Sequence, residues 1–218
     1  MNLLRKLTKF WKSPWLEKTQ SAAEFYWSLK TRFYYRLFFG AMGQKSKLIA
    51  PMRLRNVHNI QIGESVLINK YAFLLTLQED KSLVPRLTIG DGSIIGHMNH
   101  IACIWEVAIG EYVLTGDRVF ISDHSHAFSE TTIPILKQPA ISKGKVSIGR
   151  GTWIGENVAV LSCNIGKNCV IGSNAVVLSD IPDYSVAVGA PARVIRRWNP
   201  ASQNWEKIAA MDVVNDHD

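Results

Sequence analysis

Hydrophobic residues in the middle of this chain return every six positions. An aliphatic residue is followed by glycine, then by two turn-type residues and a small or β-branched one. The clearest copies begin at Ile62-Gly63, Ile89-Gly90, Ile109-Gly110, Ile148-Gly149, Ile154-Gly155, Ile165-Gly166 and Ile171-Gly172. The leading residues group in threes: Ile62, Ile68 and Leu74; Ile89, Ile95 and Ile101; Ile109, Thr115 and Ile121; Ile148, Ile154 and Val160; Ile165, Ile171 and Val177. A period of six grouped by three predicts a three-sided solenoid of parallel strands. Each short strand turns an aliphatic side chain inward, Gly, Asn and Asp relieve the corners, and coils hydrogen-bond about 4.8 Å apart. One coil cannot bury its own face, so the coils must stack. A β-sandwich fits poorly, because its strands alternate over longer runs with turns about every 8–12 residues.

Breaks in the register locate what the wall cannot hold. The phase slips between Leu74 and Ile89, slightly between Ile101 and Ile109, and most between Ile121 and Ile148. Insertions in a solenoid leave the wall as loops, and excursions of this size are usually functional. The segment 122–147, with Asp123-His124-Ser125-His126 and Thr132-Ile133-Pro134-Ile135, is the expected active-site loop. The organisation read from the pattern is a helical, basic and aromatic region over 1–56, a β-helix over 57–198 and a short polar tail over 199–218, of helix-compatible composition.

In the first region Pro14 is a helix break and Ser21-Ala22-Ala23-Glu24 resembles an N-terminal capping box. The stretch Phe25–Phe39 interleaves aromatics with Lys30, Arg32 and Arg36. Two readings stand: an interfacial helix on a membrane surface, or a cap on the open end of the solenoid.

Composition narrows the picture further. With 218 residues, 47% hydrophobic and 20% charged, the chain has room for one catalytic domain and an appendage. The net charge of +7 points to an anionic partner, and its excess is concentrated before residue 56. No nucleic-acid reader motif accompanies it, so nucleic acid is not an expected partner. Cys103, Cys163 and Cys169 have neither zinc nor redox spacing and read as reduced thiols. Lysines and arginines interrupt the first twenty positions, leaving no signal-peptide core or membrane span; a cytoplasmic protein is expected.

Two loop imidazoles, His124 and His126, are candidate general bases, and Asp123 is placed to orient one of them. Adjacency in sequence does not establish that the carboxylate reaches a ring.

The hexapeptide repeat from Ile60 to Ile195, the His loop and its return to Gly149-Arg150-Gly151-Thr152-Trp153-Ile154-Gly155 resemble the hexapeptide-repeat, left-handed β-helix acyltransferases. The similarity is to the galactoside and maltose O-acetyltransferase branch, which includes O-antigen and capsular-polysaccharide acetyltransferases. The resemblance implies transfer of acetyl from acetyl-CoA to a saccharide hydroxyl, without a metal, in a homotrimer. It implies His124 as general base with His126 as the alternative, and Asn99 at the acceptor. It further implies Trp153, Gly155, Ser173, Ser179, Arg193 and Arg196 along the CoA side. Ser179 departs from the lysine common in relatives, leaving a phosphate contact to Arg197 or Lys167. Two other readings stand beside this one: a zinc enzyme like the γ-class carbonic anhydrases, using imidazoles from His97, His100, His124 and His126, and a non-catalytic scaffold.

Overall fold

The computed structural model describes residues 15–79 and 82–208. Helix α1 (Trp15–Phe33) leads through a 3-10 turn into the wall. The first coil is β1 (Ala41–Met42), β2 (Lys47–Leu48) and β3 (Arg53–Arg55); the second is β4 (Ile60–Ile62), β5 (Leu67–Ile68) and β6 (Phe73–Thr76). The third is β7 (Arg86–Ile89), β8 (Ile94–Ile95) and β9 (His100–Cys103), and the fourth β10 (Glu106–Ile109), β11 (Leu114–Thr115) and β12 (Phe120–Ser122). A hairpin arm, β13 (His124–His126) with β14 (Ala140–Ser142), interrupts the wall before the fifth coil, β15 (Val146–Ile148), β16 (Trp153–Ile154) and β17 (Ala159–Leu161). Then come β18 (Val170–Ile171), β19 (Val176–Val177) and β20 (Ser185–Gly189), with bridges at Ile165 and Ile181 completing the first face.

Each face is a parallel sheet, in the orders β1-β4-β7-β10-β15, β2-β5-β8-β11-β16-β18-β20 and β3-β6-β9-β12-β17-β19. This is the three-sided parallel solenoid that the six-residue period predicts and the left-handed β-helix that the resemblance implies. Its core is the set of leading residues: Ile62, Ile89, Ile109, Ile148 and Ile165 on one face, Ile68, Ile95, Ile154 and Ile171 on the next, Leu74, Ile101, Ile121, Val160 and Val177 on the third, all buried. Each fully buried aliphatic contributes roughly 1.5–3 kcal/mol. Thr115 is the polar member of the series. Its hydroxyl donates to Asn99 Oδ1 at 2.8 Å and accepts from the Gly96 amide at 2.9 Å, so no buried donor is stranded.

The glycines act differently from the simple corner expectation. Those of the Ile-Gly pairs are kept small by the coil above: a Cβ on Gly110 would stand 2.9 Å from both Ile148 O and Arg150 N. The left-handed backbone falls two residues later, on Gly92 (φ 67°) but also on Tyr112, Asn157 and Asn174.

The wall begins earlier than the repeat suggested. Met42-Gly43, Leu48 and Leu54 form a further coil inside the 1–56 segment, with Met in place of the signature Ile. Pro14 lies outside the described residues, and α1 runs uninterrupted through Ser21–Glu24, which therefore does not start a helix. The helix seats on the first coil through Thr31: its buried hydroxyl accepts from Leu48 N at 3.0 Å and donates to Trp27 O at 2.8 Å. Tyr35 and Phe39 join the core beneath it. At the other end the chain turns antiparallel, β20 pairing with β21 (Ala192–Asn199) and β21 with β22 (Asn204–Lys207). The expected helix-compatible tail is thus a strand through residue 207, with Trp198 and Trp205 edge to face at 5.8 Å.

Candidate active site

The arm leaves the edge between the third and first faces, where coil four should pass into coil five. Its base is fixed by Asp123, whose carboxylate is fully buried. Oδ1 accepts the Ile104 amide at 3.0 Å and Oδ2 accepts those of Trp105 and Glu106, each at 2.8 Å. Three backbone donors satisfy a charge that burial would otherwise make costly. Oδ1 also meets Nδ1 of His124 at 2.9 Å. With the Nδ1 proton assigned to that bond, Nε2 is left as a free acceptor. The imidazole is 14% exposed.

Ser122 and Ser142 complete the mount. Ser122 Oγ accepts the His124 amide at 3.2 Å, donates to the His124 carbonyl at 2.9 Å and lies 3.1 Å from Nδ1. Ser142, opposite His124 in the hairpin, donates to the Asp123 carbonyl at 2.8 Å. Glu106 clamps the exit, pairing with Arg86 at 2.6 Å and Lys145 at 2.7 Å. Hydrogen bonds from those two cations hold its carboxyl below the usual range. Neither serine stood out in sequence. Ser122 carried one signal, a small polar residue on the outward row where Ala102 and Leu161 stand in neighbouring coils.

The other candidates divide into groups. His126 is exposed two residues further along the arm and makes no side-chain hydrogen bond among the described residues. Asn99, implied at the acceptor by the resemblance, sits at a corner of the wall. It is fully buried at an inner corner, its amide donating to Gly116 O at 2.8 Å and His97 O at 3.2 Å and accepting from Thr115. Trp153, 51% exposed, stands on the outward row of the second face, and the pairing Trp153-Val170-Val186-Arg196 carries that row to the terminal hairpin. Gly155 abuts Ser173 at the next corner. Arg193 is half-buried on β21, donating to Ala192 O at 3.0 Å. Ser179 lies apart from these, on the edge that carries the arm. Within one protomer the histidine and the Trp153 row therefore occupy different sides of the prism.

No group of three or more His, Cys, Asp or Glu among the described residues could hold a metal ion. Cys103 and Cys163 are buried, and burial pushes their thiols up to about 12 and about 11, away from nucleophilic use.

A parallel β-helix with a histidine–aspartate pair on an interrupting arm is a solenoid that carries a candidate proton acceptor. No protein-family model matches the chain. It is 31% identical over 164 residues to the Escherichia coli protein WbbJ, named for lipopolysaccharide-biosynthesis O-acetyl transfer, covering 72% of this chain and 81% of that one. A Mycobacterium tuberculosis protein named as an acetyltransferase, Rv3034c, is 44% identical over 125 residues, 57% of this chain but only 40% of the relative. Among solved structures, AntD, an N-acyltransferase from Bacillus cereus in complex with dTDP and 3-hydroxybutyryl-CoA, shares the fold. Its TM-score is 0.62 at 21% identity, covering 74% of this chain and 84% of AntD. The chain belongs to the hexapeptide-repeat acyltransferases.

Proposed function

We propose that this protein is an acyl-CoA-dependent O-acetyltransferase, moving acetyl from acetyl-CoA to a hydroxyl of a saccharide that is a precursor of cell-surface polysaccharide or lipopolysaccharide. The observation that carries the reading is the buried Asp123 holding His124 at 2.9 Å on the arm of a chain whose relatives are named for acetyl transfer. His124 Nε2 takes the proton from the acceptor hydroxyl as its oxygen attacks the thioester carbonyl. Asp123 steadies the imidazolium, which returns the proton to the departing CoA thiolate. Transfer is direct, and binding both substrates together lowers the orientational cost. His126 is the alternative base.

Trp153, Gly155 and Ser173 would line the pantetheine arm, while the guanidiniums of Arg193 and Arg196 suit the CoA phosphates and Ser179, on the edge that carries the hairpin arm, would join them from an adjacent protomer. Because histidine and Trp153 row lie on different sides of one prism, the complete groove is formed between protomers of a homotrimer. The arm supports this by leaving Phe128, Ile135 and Leu136 exposed at its tip. The outer side of α1 presents Trp15, Phe25, Leu29 and Phe33 beside Lys30 and Arg32, a surface suited to peripheral contact with an anionic inner-membrane face from the cytoplasm. No helix among the described residues is long and apolar enough to cross a membrane.

The test is ligand stabilisation coupled to turnover. Acetyl-CoA at a hundredfold excess over Kd should stabilise the protein by about 2.7 kcal/mol, and CoA release should require a saccharide. A melting temperature unmoved by acetyl-CoA, with no saccharide-dependent release, contradicts the reading and favours a scaffold.

A further inference from the structure

The outward row of the third face differs from those of the other two. On the first face that row is Ala41, Gln61, Thr88, Ala108 and Ser147; on the second it begins at Lys47 and is then aliphatic, Leu67, Ile94 and Leu114, until Trp153, with no aromatic ladder behind the cation. On the third face, register places Arg53, Phe73, His100 and Phe120 directly above one another. All four point outward, because the residues that follow them, Leu54, Leu74, Ile101 and Ile121, point into the prism. The rings touch in series: Phe73 to His100 at 5.1 Å and 34°, His100 to Phe120 at 5.2 Å and 62°. Each ring is half-buried, with an edge or face still open.

This ladder ends at the chemistry. Phe120 and Ser122 project from the same face of β12, two residues and about 7 Å apart, and Ser122 Oγ lies 3.1 Å from the His124 ring. Burial and the neighbouring His124 and Arg53 all lower the proton affinity of His100, so its ring is a neutral member of the stack near pH 7. At the far end Arg53 and Arg55 are exposed and form no ion pair among the described residues. With strands about 4.8 Å apart, Arg53 stands three spacings, roughly 14 Å, from Phe120.

We propose that Phe73, His100 and Phe120 form the acceptor subsite, closed by Arg53, and that it selects a saccharide carrying a phosphate or diphosphate. The inference rests on the acetyltransferase reading and gives its substrate class. A pyranose offers a face of C–H groups that packs on aromatic rings without needing polar partners there. A guanidinium left without a carboxylate at the end of such a surface binds the phosphate. The sugar hydroxyl is then presented to His124 while the anion reaches towards the first coil, on the side of the molecule where α1 sits.

The experiment measures acetyl transfer to three kinds of acceptor: UDP-linked sugars, the same sugars on polyprenyl diphosphate, and neutral methyl glycosides. The variants are Arg53→Ala, Arg53→Lys, Phe73→Ala and the milder Phe73→Leu. Transfer to one or both diphosphate acceptors should exceed that to the glycosides, and which of the two leads separates a nucleotide from a lipid source. Arg53→Ala should raise KM for the diphosphate acceptor about tenfold, the size of one charge-assisted hydrogen bond. Its kcat and its KM for acetyl-CoA should hold, and Arg53→Lys should fall between. Both Phe73 variants should raise acceptor KM, Leu less than Ala. Equal use of neutral glycosides, an unchanged acceptor KM in the variants, or a Phe73→Leu protein whose mass shows a dissociated assembly overturns the subsite. No transfer to any of these acceptors, while acetyl-CoA still raises the melting temperature, also overturns it. If acetyl-CoA gives no such rise, it is the acetyltransferase reading that fails.

Discussion

Asp123 holds together structure and proposed chemistry at the scale of a single residue. Its carboxylate closes the turn at Ile104–Glu106 and orients His124. Asp123→Asn would turn an NH2 group towards one of those donors, leaving a buried amide unpaired at a cost of about 1–3 kcal/mol. The expected outcome is a melting temperature lower by several degrees together with reduced kcat; a variant unchanged in both would show that the carboxylate is idle. His100 gives a prediction about pH. Its proton affinity in the fold is below the ordinary 6.5, so below that pH the unfolded chain binds more protons than the folded one. Stability from this residue is complete above the ordinary value and is lost as pH falls through the folded one. Thermal melts of wild type and His100→Phe on the acid side of neutrality should show a shallower decline in the variant; parallel curves would remove His100 as the cause.

At the scale of elements, the coil is the unit, and its spacing is set by glycines pressed against the next coil. A Cβ on Gly116 would meet Glu156 N at 2.8 Å and Gly155 C at 2.9 Å. Overpacking of this kind costs about 1–3 kcal/mol, and the rigid neighbours here are backbone. Gly116→Ala should therefore lower the urea midpoint without changing the slope, and an unaltered midpoint would mean that the coils separate freely. The inward rows were legible from sequence because an aliphatic side chain every six residues has one geometric solution. The first coil was not, since Met42 replaces isoleucine and Lys47, Arg53 and Arg55 crowd its strands with charge. The helical start suggested by Ser21-Ala22-Ala23-Glu24 lost to a longer helix held by tertiary contacts at Thr31, Tyr35 and Phe39. Trp205 pairs with Trp198 across a hairpin that polar composition alone did not signal.

For the whole molecule, the break in the repeat led to the arm, and the arm carries the histidine–aspartate pair. What sequence could not supply was depth. The resemblance implies Asn99 at the acceptor, and nothing in the sequence signals that its buried amide bonds Thr115 and Gly116. The row Arg53, Phe73, His100, Phe120 is scattered over 68 positions and is assembled only by register. The central claim is that His124 is the base of a direct transfer, and it is tested most directly by the rate of CoA release from acetyl-CoA with a saccharide acceptor, compared between wild type and His124→Ala. The account predicts a fall in kcat of about 10²–10⁴ in a variant that still folds and is still stabilised by acetyl-CoA, the contribution typical of a positioned proton acceptor. A His124→Ala rate equal to wild type would contradict it.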